Sequence, residues 1–214
     1  MTAEPQRSLV ALWLRVTSHD EAQAARVCES VVDRYREPVR RYHTLTHIRH
    51  CLDQAALASS LLPDADTIAL GIWFHDVVYV PAAGDNEVCS AALFRELAGP
   101  VMSRPRLDDV ERLILVTRFG ERPRRDDEAY MADIDYSSFG LPWDRFHSDS
   151  LAVRAERTDL SDEQFAGQQS RFLANLLDRG TLYRTEFFRE RYEDVARSNI
   201  ARYLEILRQD AAAE

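Results

Sequence analysis

Lysine is absent from this 214-residue chain, whose 27 basic residues are all arginine. That removes Schiff-base lysine chemistry and any lysine-dependent phosphate loop. Glycine and proline are scarce, at 7 and 8 residues, and there is no polar low-complexity tract. Both features argue against a disordered chain and against a turn-rich β-sandwich. Cysteine is limited to Cys28, Cys51 and Cys89, with no CxxC spacing; an odd number in helical contexts makes no disulfide framework. Positive charge is in deficit, with 36 acids giving a net charge of −9, which speaks against a whole-chain nucleic-acid binder. No apolar run reaches the roughly 18–20 residues of a bilayer span. The N-terminus lacks the basic start and small-residue cleavage site of a signal peptide. A cytoplasmic protein with no nucleic-acid or membrane partner is expected.

What the chain does have is 45% hydrophobic residues, enough for a substantial core, arranged with helical rather than alternating periodicity. Helices are expected at Ser8–Val16 and at Asp20–Tyr35 with Asp20 as N-cap. A third should run from about His47 to Leu62, preceded by Thr46, and a nearly all-round apolar one from Asp66 to Tyr79. Further helices are expected at Asn86–Ala98, Leu107–Thr117, Glu128–Tyr136 and Trp143–Glu156. Ser161–Leu177 should be another, with Ser161 capping three residues before Gln164; Phe187–Leu207 closes the chain. With no linker or internal repeat, one all-α domain over 1–214 is the economical reading.

Chemistry concentrates in two places. The apolar run ALGIWFHDVVYVP (Ala69–Pro81) carries the pair His75-Asp76 in its middle. Burying an imidazole beside a carboxylate is costly unless something compensates, and a divalent cation suits adjacent N and O donors. The bland alternative is a satisfied core pair, or Asp76 as a helix cap. Upstream, RYHTLTHIRHC places His43, His47 and His50, three of the six histidines, on one helical face with Cys51. His47 lies 28 residues before His75, with a turn at Pro63 between them, a length that lets two antiparallel helices bring the imidazoles together. Downstream, MADIDY (Met131–Tyr136) offers Asp133 and Asp135 as a further carboxylate.

His47, then His75-Asp76, then an Asp in a later apolar helix resembles the HD superfamily of metal-dependent phosphohydrolases. The likeness is closest to a branch of predicted HD phosphohydrolases, through YHTLTHI (Tyr42–Ile48), WFHDVVY (Trp73–Tyr79), DNEVCSA (Asp85–Ala91) and YEDVARSNI (Tyr192–Ile200). The resemblance implies an all-α helical bundle with a metal-binding core over about 42–140 and C-terminal helices, 143–208, packed on it. It also implies metal ligands His47, His75, Asp76 and one of Asp133 or Asp135, with Asp135 preferred. Tyr136 departs from the Leu usual after that Asp. A second departure is Gly120, where relatives often carry a His; no His lies between His75 and Asp135. A single divalent ion is therefore expected (Mn, Mg, Fe, Co or Zn), and an HD-type oxygenase, which needs more His ligands, is disfavoured.

The function expected from this resemblance is hydrolysis of a small phosphorylated compound, such as a nucleotide, by a metal-activated water. Asp76 would serve as both ligand and acceptor for the attacking water. Glu87 is the leading candidate for the leaving-group acid, with a solvated acid at a helix N-terminus as its alternative. His43 is a candidate phosphate donor or general acid, against a stacking role. His50 reads as structural, and His19 and His147 have no assigned role. Arg118, Arg122, Arg124 and Arg125 form a basic cluster suited to gripping phosphate, or a solvated face. Glu193, Arg197 and Asn199 are expected to brace the site. The competing reading is a weakened or non-catalytic HD module that binds metal or nucleotide in a regulatory role. A homodimer is compatible with the sequence.

Overall fold

The computed structural model describes residues 3–210, and side chains of residues 6–209; the extreme ends of the expected 1–214 domain lie outside them. Ten α-helices are described: α1 Ala3–Val16, α2 Glu21–Arg34, α3 Leu45–Leu57, α4 Ala65–Phe74, α5 Asn86–Ala98, α6 Arg104–Leu115, α7 Asp126–Tyr136, α8 Trp143–Glu156, α9 Asp162–Leu177 and α10 Glu186–Asp210. Short 3-10 turns lie at Ser59–Leu61 and Ser137–Gly140. The described residues contain no strand, so the expected all-α class holds. No helix among them is long and apolar enough to cross a membrane. The chain divides into two compact units, residues 1–135 and 136–214, at the C-terminal end of α7.

In the first unit α4 is the axis. Its residues Ile68, Leu70, Ile72, Trp73 and Phe74 are all fully buried. It packs against α1, α3, α5 and α6, as a helix without a polar face must. Burying each such side chain contributes about 1.5–3 kcal/mol. Gly71 permits the close approach of α6: a Cβ there would lie 3.0 Å from Leu113 Cβ. Local signals set the helix starts. Asp20 and Gln23 form a reciprocal capping box at α2, and Asp64 accepts from Thr67 N–H at the start of α4. The third helix begins earlier than expected, because Thr44 rather than Thr46 is its cap.

The largest correction concerns α4, which stops at Phe74 instead of reaching Tyr79. Residues 75–80 form a turn and an irregular stretch. Val77, Val78 and Val80 are β-branched and weak in helices, but competition for their backbone decides the outcome. The carbonyls of Asp76 and Val77 accept from Arg40 at 2.7 and 3.1 Å. Ser90 Oγ bonds both the N–H and the C=O of Val78, at 3.0 and 3.3 Å. Asn86 does the same for Val80, at 2.9 and 3.0 Å. These partners satisfy the backbone groups a longer helix would have used.

In the second unit α10 is the long element. It packs on α8, on α9 and on the Ser137–Gly140 turn. The turn meets α10 at Gly140, where a Cβ would lie 2.5 Å from Tyr192 Cβ. The Ser161–Gln164 capping box forms as the sequence indicates.

Candidate metal centre

His47 sits in the first turn of α3, and His75 is the residue that ends α4, so the two ligand-bearing segments meet where α3 starts and α4 stops. His75 keeps a helical backbone, its N–H bonded to Gly71 O at 2.9 Å. Its ring Nδ1 lies 2.8 Å from Ile72 O, a contact only an N–H can make. The neutral ring therefore carries its lone pair on Nε2. Such a backbone acceptor behind the ring is the usual way a metal-ligating histidine is oriented.

That Nε2 faces three other donors. His47 Nε2 is 3.2 Å away, Asp76 Oδ2 3.0 Å and Asp135 Oδ1 3.5 Å. His47 Nε2 in turn lies 3.5 Å from Asp76 Oδ2 and 3.3 Å from Asp135 Oδ1. The ligand atoms of His47, His75 and Asp135 all lie within 4.8 Å of one another; Asp76, outside that mutual set, adds a carboxylate against both imidazoles. The imidazole side chains are about 2% exposed, the carboxylates 17% and 19%. The imidazoles are thus shut in, while the carboxylate side chains keep partial exposure.

Electrostatics in the metal-free protein show what the arrangement demands. Burial would lower the His75 pKa, but Asp76 and Asp135 outweigh it and hold the imidazole well above its usual value. Burial would likewise raise both carboxyls. His75, His43 and His47 instead hold Asp76 far below the ordinary range, and His47 and His75 hold Asp135 down at about 2. The carboxylates thus draw positive charge onto the His75 imidazole. Two imidazole nitrogens and the Asp135 oxygen gathered within 4.8 Å, with Asp76 against both imidazoles, fit a divalent cation equally well, and mixed N/O ligation suits a borderline or hard ion. The donor chemistry therefore fits the metal that the sequence resemblance implies.

Of the two downstream acids, Asp135 enters the cluster. Asp133, two residues earlier and so about 200° around the helix, is buried and close enough to Tyr130 to help raise its pKa, after desolvation and Asp126. His43 lies beside the cluster. Its ring stacks on Tyr79 at 4.2 Å and is 6.2 Å from the His47 ring. Cys51 Sγ packs behind His47, 3.7 Å from Nε2, and burial followed by the repulsion of Asp135 and Asp76 keeps the thiol protonated. His50 falls outside the tight set.

Glu87, in the first turn of α5, is half-buried. Its pKa is raised by desolvation first, then by Asp76 and Asp135, with Arg118 opposing. Of the arginine cluster, Arg118 is tied to this region by donation to Gly84 O at 3.1 Å. Arg125 is engaged with Asp109 and Asp127 at 3.8 and 3.6 Å. Gly120 has φ +96°, a conformation a histidine side chain rarely adopts.

The C-terminal polar residues serve the loops of their own unit. Glu193 accepts from Leu182 N–H at 2.9 Å and Tyr183 N–H at 3.1 Å. Arg197 donates to Leu177 O at 2.8 Å. Asn199 Nδ2 donates to Phe139 O and Leu141 O at 2.9 and 2.8 Å.

Sequence reasoning missed the groups that hold the turn after α4, namely Arg40, Tyr35, Asn86 and Ser90. Tyr35 Oη donates to Trp73 O at 2.8 Å. Asn86 and Ser90 lie inside the quoted DNEVCSA motif, so the signal was present without its reason. Arg40 sits in an Arg-Arg pair that reads as surface, and only the fold reveals its burial.

Comparison with family models, with curated proteins and with solved structures gave no match.

Proposed function

We propose that the chain is a metal-dependent phosphohydrolase of the HD type, acting on a small phosphorylated substrate. The observation that carries this reading is the convergence of His47, His75, Asp76 and Asp135 within 3.0–3.5 Å across the imidazole–carboxylate contacts. A divalent ion held there would lower the pKa of a bound water and polarise a phosphoryl oxygen.

The chain's own groups fill the remaining roles. Asp76 would accept a proton from the attacking water with Oδ1, the oxygen not engaged with the imidazoles. Glu87, whose pKa burial raises, is assigned to protonation of the leaving group. Arg118 supplies fixed positive charge near Glu87, and a guanidinium matches phosphate geometry. His43, beside His47, is assigned to a phosphate oxygen.

Phosphate release from a panel of nucleotides and sugar phosphates, with Mn²⁺ or Co²⁺ added, tests the proposal. Wild type should release phosphate in a metal-dependent way, and His75→Ala should fall to background. Equal background rates for both proteins on every substrate would refute it. The lack of a histidine at Gly120 favours one alternative. A chain that binds Mn²⁺ but turns over nothing on the panel is instead a non-catalytic module that binds metal or nucleotide.

A further inference from the structure

Arg40 is charged, yet its side chain is 0% exposed. Its guanidinium reaches four groups from three segments: Glu37 Oε2 at 3.2 Å, His43 O at 3.1 Å, Asp76 O at 2.7 Å and Val77 O at 3.1 Å. Aromatic rings cover it as well, Tyr35 at 5.1 Å and Tyr79 at 5.5 Å from the guanidinium carbon. Tyr79 then stacks on His43. A guanidinium buried this deeply is retained only with its donors satisfied, and here the acceptors are mainly backbone carbonyls of the segments bearing the metal-binding side chains. One is the carbonyl of Asp76 itself; another belongs to His43, one helical turn before His47.

We propose that Arg40 is the positioning residue of the centre, fixing the His75–Asp76 turn against the His43–His47 segment so that the four donors meet. The proposal rests on the metal-centre reading above. Two carbonyls just past the end of α4 have no intrahelical partner, and Arg40 engages both from the loop that leads into α3. A lysine at this position keeps the charge but presents a single nitrogen, which cannot span three carbonyls in a planar fork.

The test is Mn²⁺ affinity, with thermal unfolding measured in parallel, for wild type, Arg40→Lys, Arg40→Met and Asp20→Ala. Asp20→Ala removes a helix cap remote from the centre and controls for lost stability. Arg40→Lys should weaken Mn²⁺ binding about 10–100-fold, the usual consequence of removing a group that orients metal ligands. Asp20→Ala should lower the melting temperature with unchanged affinity. Arg40→Met should lose at least as much affinity as Arg40→Lys; if it does not fold, Arg40→Lys alone decides. Wild-type affinity in Arg40→Lys would overturn the proposal. Should the wild type bind no Mn²⁺, the hydrolase reading falls by itself, and the imidazole ¹⁵N signals of the metal-free protein decide on Arg40. Those of His47 and His75 should move in Arg40→Lys while those of His19 and His147 stay; four unmoved signals would refute the positioning role.

Discussion

The two units use polar side chains in opposite ways. In the second, Glu193, Arg197 and Asn199 end on backbone N–H and C=O groups of nearby loops. Each such interaction is complete in itself and serves to hold a loop. In the first, His47, His75, Asp76 and Asp135 end on one another, nitrogen facing nitrogen and carboxylates facing both. The Nε2 lone pair of a neutral His75 would face two carboxylates, an arrangement that favours a proton or a cation between them. A polar group that satisfies backbone braces a fold, and one that requires a charged third party marks a site.

The acid pair of α7 gives the sharpest way to break this contrast. Asp135→Asn should weaken Mn²⁺ binding by more than the roughly 10–100-fold typical of outer-shell changes, whereas Asp133→Asn should leave it unchanged. The reverse result would move the centre to Asp133. Competition between metal and protons comes next. Because His75 is held above its ordinary pKa, Mn²⁺ must displace its proton. Affinity should therefore rise about tenfold per pH unit below that raised value, then level off. In the metal-free protein the same shift stabilises the first unit fully below the unfolded pKa of about 6.5, and this is lost as pH climbs through the folded value. Asp135, held down at about 2, contributes above the unfolded value of about 3.9 and loses its contribution as pH falls toward 2. Urea melts across pH would show the rise and fall.

Asn199→Ala tests the other half of the comparison. Losing its two bonds to Phe139 O and Leu141 O should cost about 1–3 kcal/mol in chemical unfolding, with Mn²⁺ affinity unaltered. A changed affinity would support the bracing role that the family resemblance implies for this residue. The smallest effect concerns thiols. Burial pushes the Cys28 pKa up to about 12 and raises that of Cys51 as well, while Cys89 is exposed. Alkylation of the native protein followed by mass mapping should modify Cys89 alone. Labelling of Cys51 would show that the space behind His47 opens.

Much of this was legible in the chain. The helix caps at Asp20 and Ser161 are local chemistry, and a local pattern declares them. The spacing of His47 and His75 worked because a turn between two helices fixes where facing residues meet. The end of α4 was not legible. Val77, Val78 and Val80 continue an apolar pattern, and what stops the helix is bonding from Arg40, Asn86 and Ser90, residues 6 to 37 positions away from their partners in quite different sequence contexts. Asp135 against Asp133 was a preference rather than a deduction, since periodicity shows that they face different ways but not which way faces His47.

The most direct measurement of the central claim is the metal content of the purified protein after loading with Mn²⁺ and removal of free ion, for wild type and His75→Ala. One ion per chain in the wild type, lost in the variant, is the predicted result. No retained ion in the wild type, or equal retention in both, would contradict it.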